Sequence, residues 1–314
     1  MNDVRQFIES LPYKAQLLVV AAVWVVLFQF LGNSSFGYAD TASLFTWVVA
    51  NYEANPDDSL GYLIPPLIAV LLFMRRDELI PLEKRPWPPA LVLLSLAVVL
   101  HLFGYLIQQA RVSLLAFGLG IYALTGLFWG PKWLKATFFP FALLIFTVPL
   151  TAYTDSLTFH LRLLSTQLAT GFCNTVLNLN LIREGTMVFH ALPNGTKGFE
   201  FEVAPACSGI RSLTVVFLLT LVYGYMQFNS LWRRLSLVVA AIPLAVLANV
   251  VRLIIVFTVG EAWGGDAGKR IETNLGFVTF IVALGGVMLL GRFLKEPSAP
   301  RSEPLPSHPA PVNP

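Results

Sequence analysis

The sequence predicts an all-α polytopic membrane protein of about eight transmembrane helices, with an amphipathic helix and a short β-hairpin between spans five and six. Of its 314 residues, 56% are hydrophobic and only 12% are charged, whereas about a quarter of the residues in a soluble domain are charged. The mean hydropathy is +0.68, and apolar runs of roughly 20 residues, the length that crosses a bilayer, recur along the chain. A soluble fold could not bury so much apolar surface.

Eight apolar runs define the expected spans, the second of them rather short. They lie near residues 16–32, 61–74, 88–108, 112–130, 136–153, 206–227, 235–259 and 272–291. Arg5 and Lys14 precede the first run without a small-residue cleavage site, which indicates a retained span and not a signal peptide. No linker divides the chain, so residues 1–296 are expected to form one domain. The Pro-rich residues 297–314 predict a disordered cytoplasmic tail.

The basic residues fix the expected orientation. With the N-terminus inside, the inside segments hold 13 of the 21 Lys and Arg residues, the excess typical of cytoplasmic loops. We therefore expect a multi-pass protein of the inner (plasma) membrane with both termini in the cytoplasm and an extracytoplasmic insert at about 154–205. No basic run is interleaved with aromatic residues, which argues against nucleic acid as a partner and leaves membrane lipid.

The insert has two parts. From Asp155 to Leu179, leucines recur at helical spacing between polar residues, which predicts an interfacial amphipathic helix lying flat on the membrane. From Ile182 to Val203, apolar and polar residues alternate around an Asn-Gly pair at 194–195. This pattern predicts a β-hairpin.

Cys207 follows the hairpin, in the sequence Ala-Cys-Ser-Gly-Ile-Arg at 206–211 that opens the sixth span. Pro205 suits the first turn of a helix, so the thiol would lie at the positive end of the helix dipole, an environment that favours the reactive thiolate. Arg211 lies four residues on and shares its helix face. The alternative is a buried cysteine that acts as a small hydrophobic residue.

Arg252 lies inside the seventh span, although an arginine there costs at least about 2.5 kcal/mol and normally faces the bundle interior or a watery cavity. Counting from Gly260, it lies roughly 10 Å below the outer surface, and Asn249, one turn earlier, is expected to orient it. The alternative is an arginine that pairs with Glu261 or a helix carbonyl and locks the bundle. Glu272, at the start of the eighth span, is a candidate acid, base or arginine partner, or a favourable charge for the helix dipole.

The motif at 206–211 after a hairpin, followed one span later by Asn-Val-Val-Arg at 249–252, resembles the exosortase and archaeosortase family of membrane-embedded cysteine transpeptidases. The resemblance covers most of residues 40–290. It includes Tyr-Leu-Ile-Pro-Pro-Leu-Ile at 62–68, the arginine pair at 75–76, the run at 139–149 and Arg-Glu-Gly-Thr at 183–186.

The resemblance implies that Cys207 is the nucleophile and Arg252 stabilises the transition state, with Arg211, Asn249 and Ser208 in supporting positions. The implied substrates are membrane-anchored exported proteins with a C-terminal sorting signal, typically a short Pro-Glu-Pro-like motif followed by a transmembrane helix and a basic tail. The cut protein would pass to a lipid or glycan acceptor, which links the activity to protein sorting and an exopolysaccharide surface. No metal or other cofactor is implied.

The third residue of the family is a histidine four positions before a glycine at the start of the last span, and here Glu272 stands four positions before Gly276. Three explanations remain open. Glu272 replaces the histidine, a histidine from elsewhere serves, or the activity is altered or lost. The histidines expected on the outer side are His101, His160 and His190.

Two other functions are compatible with these residues. One is a non-enzymatic transporter or polysaccharide-export partner that uses Arg252 and Glu272 as an ion pair, although the sequence shows no symmetry between two halves of the kind that transporters have. The other is a purely hydrolytic intramembrane protease, in which water replaces the acceptor. The two cysteines, Cys173 and Cys207, allow at most one disulfide bridge, and such a bridge would mask the nucleophile.

Overall fold

A computed structural model describes the backbone of residues 2–35, 39–191, 197–202 and 210–294. The described part is mostly helical, as the sequence predicts. The predicted tail at 297–314, the Asn-Gly turn at 194–195, and both Cys207 and Ser208 lie outside the described residues.

The first half of the chain is a set of helices packed around one long helix, α7. Short helices α1 and α5 and a 3-10 helix join the apolar ones. Their bounds are α1 Asn2–Glu9, α2 Lys14–Leu31, α3 Leu44–Ala54, the 3-10 helix Pro56–Leu63, α4 Ile64–Met74, α5 Arg76–Leu79, α6 Ala90–Leu106, α7 Ala110–Ala142 and a second 3-10 helix Leu143–Thr147.

Helix α7 contains a sharp break at Gly130, where φ is +87°, a value that glycine adopts without strain. The side chain of Tyr122 donates a hydrogen bond to the carbonyl of Leu134 at 2.7 Å, and Gly126 contacts Leu134 so closely that a Cβ there would collide with its side chain. The two halves of α7 therefore lie side by side; they hold the run predicted as span four and the first part of the run predicted as span five, which continues into the second 3-10 helix and the start of α8 at Thr151.

The second half of the chain carries the candidate site. A long helix, a three-stranded antiparallel sheet and four further helices follow one another. Their bounds are α8 Thr151–Val176, β1 Leu181–Glu184, β2 Met187–Ala191, β3 Lys197–Glu202, α9 Ile210–Gln227, α10 Leu231–Trp263, α11 Gly265–Asn274 and α12 Gly276–Phe293.

Four segments in the described part of the chain are long and apolar enough to cross a membrane, and three further apolar helices are shorter. The four are Lys14–Leu31, Pro56–Met74, Ala110–Thr147 and Leu231–Trp263, and the shorter ones are Ala90–Leu106, Leu213–Gln227 and Val278–Phe293. Large apolar side chains such as Leu18, Val23 and Phe30 are exposed, as helices that face lipid require. The fold is thus a helical membrane protein, while the number of eight spans stays a prediction.

The sheet differs from the predicted hairpin by one strand. β2 and β3 pair antiparallel, with Met187 opposite Glu202, which is the predicted pairing. β1 adds a third strand on the other side of β2, because the chain turns at Gly185, where φ is +65°, inside the segment expected to be one strand. The strand order is β1-β2-β3.

The expected start of the eighth span is also corrected. Residues 265–293 form two helices, not one, because Leu275 at the junction has non-helical backbone angles. Glu272 therefore belongs to the last turn of α11, and α12 begins four residues later at Gly276.

Candidate active site

Helix α10 organises the second half of the molecule through a stripe of small residues. Ala241, Ala245 and Ala248 are buried against Val216 of α9 and Ala283 of α12. Their spacing of four and three residues puts them on one face of α10. This face packs α10 against both neighbouring helices.

Arg252 continues that face one turn beyond Ala248. Helices α9 and α10 run antiparallel, because Gly224 lies against Arg234 near one end and Leu213 packs in the cluster of Ala245 near the other. Arg252 therefore lies where the described part of α9 ends. Its side chain is half-buried and its Nε atom is fully buried.

Beyond Arg252, α10 continues for about three turns to Trp263, and other elements enclose it there. Leu253, Val256 and Phe257 form one buried cluster with residues from three sides. The partners are Ala169 and Cys173 of α8, Leu181 and Val188 of the sheet, and Leu275 at the end of α11. Arg252 thus stands at the junction between the helical bundle and this cap of α8, the sheet and α11.

Asn249 is buried one turn before Arg252, with 3% of its surface exposed. Among the residues that the structure describes, its Oδ1 atom accepts no hydrogen bond. A buried amide oxygen without a donor is costly, so this atom is available to a donor of a neighbouring residue or a ligand.

The predicted amphipathic helix turns out to pack through its polar side. Leu164 and Leu168 of α8 are exposed, whereas the small and polar residues Ser165, Thr166 and Thr170 are buried. Leu150, directly before α8, lines the same cavity as Ile242 of α10, and Cys173 near its end packs against Leu253. Helix α8 therefore packs along α10 with Leu164 and Leu168 turned outward, while its orientation to the membrane stays a prediction.

The buried face of α8 includes an arginine that lies within the insert expected at about 154–205 and is not among the predicted site residues. Arg162 is 9% exposed, and it shares its helix face with Ala169 and Cys173. Its guanidinium lies 5.5 Å from the ring of Phe159. In the described part of the chain its Nε atom donates no hydrogen bond and it forms no ion pair. Position 162 precedes positions 169 and 173 by seven and eleven residues, which is about two and three helical turns. From the sequence, this spacing could have indicated that Arg162 lies on the buried face of the helix.

Thr170 completes this polar surface of α8, because its Oγ1 atom is also buried without a hydrogen bond to any described residue. Arg162, Thr170 and Asn249 thus bring three incompletely satisfied polar groups into the packing of α8 against α10. Native interiors usually satisfy such groups. Because Cys173 on the same face of α8 packs against Leu253 of α10, this polar surface is a candidate place for a ligand.

Glu272 lies in the turn of α11 that returns toward Arg252. Ile271 and Leu275, on either side of it, pack into the cluster that contains Leu253 and Val256. Because Glu272 is near the C-terminal end of α11, a negative charge there is unfavourable for the helix dipole. Within α11, Glu272 is therefore not the favourable charge for the helix dipole that its expected place at the start of a helix implied.

Glu261 does not serve as the partner of Arg252. Its Oε2 atom lies 2.5 Å from Nδ1 of His190 in β2. Nine residues of helix separate it from Arg252, which is roughly 13.5 Å of rise and half a turn of rotation. The His190–Glu261 pair therefore joins the sheet to the opposite side of α10.

The other two histidines also point away from Arg252. His101 is buried in the first half of the chain, with its Nδ1 atom 3.1 Å from the Ser113 hydroxyl and its ring 4.5 Å from that of Phe28. His160 is exposed, and two residues of helix turn it about 160° from the buried Arg162. Glu272 is accordingly the titratable candidate whose helix turn packs beside Arg252.

The two cysteines differ in setting. Cys173 is a free, fully buried thiol, and burial raises its pKa to about 11, which keeps it protonated and unreactive. Cys207 lies outside the described residues. Arg211 is the second residue of α9.

A comparison with protein families finds a match to the family described as transmembrane exosortase over residues 47–289. This match spans the chain from α3 to α12 and includes every candidate site residue. No curated protein and no solved structure matches the chain significantly.

Proposed function

Because the chain belongs to the transmembrane exosortase family, whose members are membrane cysteine transpeptidases, we propose that it cleaves the C-terminal sorting signals of membrane-anchored exported proteins and transfers the cut protein to an acceptor. The observation that carries this proposal is the position of Arg252, one turn beyond the stripe of alanines that packs against α9 and α12.

The register of α9 and α10 supports a Cys207–Arg252 pair. Arg234 contacts Gly224. Because the two helices run antiparallel, each residue along α10 toward Trp263 lies level with one residue further along α9 toward its N-terminus. Arg252 is 18 residues beyond Arg234, and position 206 is 18 residues before Gly224. Since Cys207 is only three residues from Ile210, its Cα lies within about 11 Å of that residue by chain length alone.

The proposed chemistry is acyl transfer through a thioester. The Cys207 thiolate attacks the scissile carbonyl carbon, and the guanidinium of Arg252 donates hydrogen bonds to the oxyanion. The C–N bond then breaks, Glu272 gives a proton to the departing amine, and a thioester with Cys207 remains. An amine or hydroxyl of the acceptor attacks the thioester, gives its proton to Glu272 and releases the thiolate.

Glu272 is the proposed acid and base for a geometric reason as well as by its place in the motif. The last turn of α11 packs beside the Arg252 turn of α10, while His190 is engaged with Glu261 on the other side of that helix. A carboxyl group serves in this role when its surroundings bring its pKa toward the working pH.

The supporting residues have separate proposed tasks. Asn249 orients the Arg252 guanidinium through its buried amide oxygen, and Arg211 adds positive potential beside the thiolate. Ser208 follows the nucleophile directly, so its backbone N–H is a second donor for the oxyanion. Arg162 and Thr170 extend the site along α8, where a cation without an ion pair in the described structure suits a carboxylate of the peptide substrate.

The test follows a co-expressed membrane protein that ends in a Pro-Glu-Pro-like motif, an apolar span and a basic cluster. Wild type should shift this protein to the processed mobility, Cys207→Ala should leave it unprocessed, and Cys173→Ala is the matched control that should retain processing. Equal processing by Cys207→Ala and wild type would reject the nucleophile. A labelled acceptor on the cut protein supports transfer, whereas a free carboxyl end in every product identifies hydrolysis.

A further inference from the structure

A second cavity lies at the opposite end of α10, roughly 27 Å from Arg252 along the helix axis. Its volume is about 540 Å³, within the range of ligand sites. Four basic residues from three separate parts of the chain converge on it, together with the rings of Phe139 and Tyr225. The four are Arg75, Lys132, Lys135 and Arg234.

The two arginines are held in place by one aromatic ring. The guanidinium carbons of Arg75 and Arg234 lie 5.0 and 5.5 Å from the centre of the Tyr225 ring. Phe139 stacks on the same ring at 3.9 Å with an interplanar angle of 13°. Arg75 also bonds to the Tyr225 hydroxyl, and Arg234 donates its Nε hydrogen to the carbonyl of Phe228 at 2.7 Å. This packing preorganises both cations before any ligand arrives.

The acidic residues nearby compensate only part of this charge. Arg75 pairs with Glu78, and Lys132 lies 3.3 Å from Glu83, which it shares with Arg85. In the part of the chain that the structure describes, Lys135 and Arg234 form no ion pair. The cavity therefore keeps at least two uncompensated positive charges.

The cavity also has an apolar wall that opens outward. Phe138 lines it and is 63% exposed, on the half of α7 that follows Gly130 in the apolar segment Ala110–Thr147. Basic residues that only set orientation need to lie near the end of a span, and such a role does not require them to line a common cavity with stacked rings. A cationic cavity with an apolar outer wall matches a ligand with an anionic head and an apolar tail.

We propose that this cavity binds the phosphate headgroup of an anionic membrane lipid. Arg75, Lys135 and Arg234 contact the phosphate oxygens, since guanidinium and ammonium groups are the usual partners of phosphate. The acyl chains leave past Phe138 into the bilayer. Such basic pockets between membrane helices are sites of anionic lipid binding in general. The site does not depend on the proposed catalytic activity, because no candidate catalytic residue lines it.

The test uses the purified full chain in detergent and measures the melting temperature during titration with dioctanoyl phosphatidylglycerol. Dioctanoyl phosphatidylcholine and inorganic phosphate are the comparison probes. Wild type should be stabilised by phosphatidylglycerol well beyond phosphatidylcholine, because a ligand that binds the folded state raises its stability. Lys135→Gln and Arg234→Gln should each weaken the apparent affinity by about tenfold, the loss expected for one hydrogen bond between charged groups.

The matched controls remove the same charge at neighbouring positions that do not line the cavity. Arg233→Gln and Arg85→Gln should keep the response of wild type. Lys135 is exposed, so Lys135→Gln leaves the packing intact even if Arg234→Gln does not fold. An equal response to both lipids, or an equal loss in the control variants, would overturn the proposed site. An equal response to inorganic phosphate would overturn the lipid as its source.

Discussion

Replacing Arg162 by methionine should make the protein more stable and less active. Arg162 is buried in the packing of α8 against α10, and among the described residues it has no ion pair to offset its charge. Methionine has a similar length and no charge. A residue kept for function at a cost in stability should show this opposite pair of effects.

The expected gain follows from the contacts that Arg162 makes. Its buried Nε donor without a bond costs about 1–3 kcal/mol, and the ring of Phe159 at 5.5 Å returns about 0.5–2 kcal/mol as a cation–π contact. Methionine recovers part of that contact through its sulfur, by about 0.3–1.5 kcal/mol. The net gain is about 1–2 kcal/mol, which for a chain of 314 residues corresponds to a rise in melting temperature of about 1.5–3 °C.

The assay compares the thermal melting of the purified variant with processing of the co-expressed substrate. Arg111→Met is the matched control, because Arg111 donates a hydrogen bond to the carbonyl of Pro149 at 2.7 Å and lies over the ring of Trp47. Its loss should lower the melting temperature. If Arg162→Met lowers it by a similar amount, Arg162 is a structural residue and the reasoning fails. Full processing by a stabilised Arg162→Met variant would refute its role at the substrate.

Three further predictions concern the other residues around α10. Glu272→Gln should strongly reduce processing and Glu272→His should restore much of it, whereas wild-type processing by the glutamine variant would contradict the acid and base role. At pH 8, N-ethylmaleimide should label Cys207 and spare Cys173, as measured by the intact mass of wild type and Cys207→Ser, because burial raises the Cys173 pKa to about 11. The Cys173 thiol loses its proton near pH 9.0 in the unfolded chain but stays protonated in the folded one. The free energy of unfolding of Cys207→Ser should therefore fall as the pH rises above 9.0. Adding Cys173→Ala should remove this part of the fall. His190→Ala should lower the melting temperature, because it breaks the pair with Glu261 that joins the sheet to α10. The folded fraction of this variant should still process the substrate. Loss of processing at an unchanged melting temperature would instead make His190 the acid and base.

The helical membrane fold was predictable because apolar length is a strong signal. A bilayer requires about 20 apolar residues per span, and the long helices α2 and α10 contain the predicted runs. The two runs on either side of Gly130 were separable because of Pro131 and the basic residues that follow it. The junction at Leu275 was not, because Gly276, which begins α12, lies inside the run taken as the eighth span, and a single glycine within a helical pattern does not by itself end a helix.

The third strand and the packing of α8 show where local patterns lose information. Alternation from residue 182 to 190 looks continuous because the turn at Gly185 needs a single residue with positive φ. Leucine spacing in α8 identified its apolar face, but in a membrane that face can turn outward to lipid. The polar face of α8 then packs inward, and Arg162 escaped notice for this reason.

The candidate site was partly predictable for the same physical reasons. An arginine within an apolar run needs a partner or a ligand, so Arg252 stood out from the sequence alone. The alanine stripe that precedes it identifies the helices it faces, which the sequence alone did not reveal. The pairing of Glu261 with His190 depends on residues 71 positions apart and had no local signal.

The most direct test of a Cys207–Arg252 pair is a disulfide crosslink in the intact membrane. In a Cys173→Ala chain with a protease site inserted between α9 and α10, Arg252→Cys should join Cys207 on mild oxidation, since a disulfide requires Cα atoms within about 4.4–6.8 Å. Leu253→Cys is the matched control, because that neighbour packs toward α8 and the sheet. We expect the two protease fragments to stay linked in Arg252→Cys and to separate in Leu253→Cys. Separate fragments in Arg252→Cys with linked fragments in Leu253→Cys would contradict the Cys207–Arg252 pair.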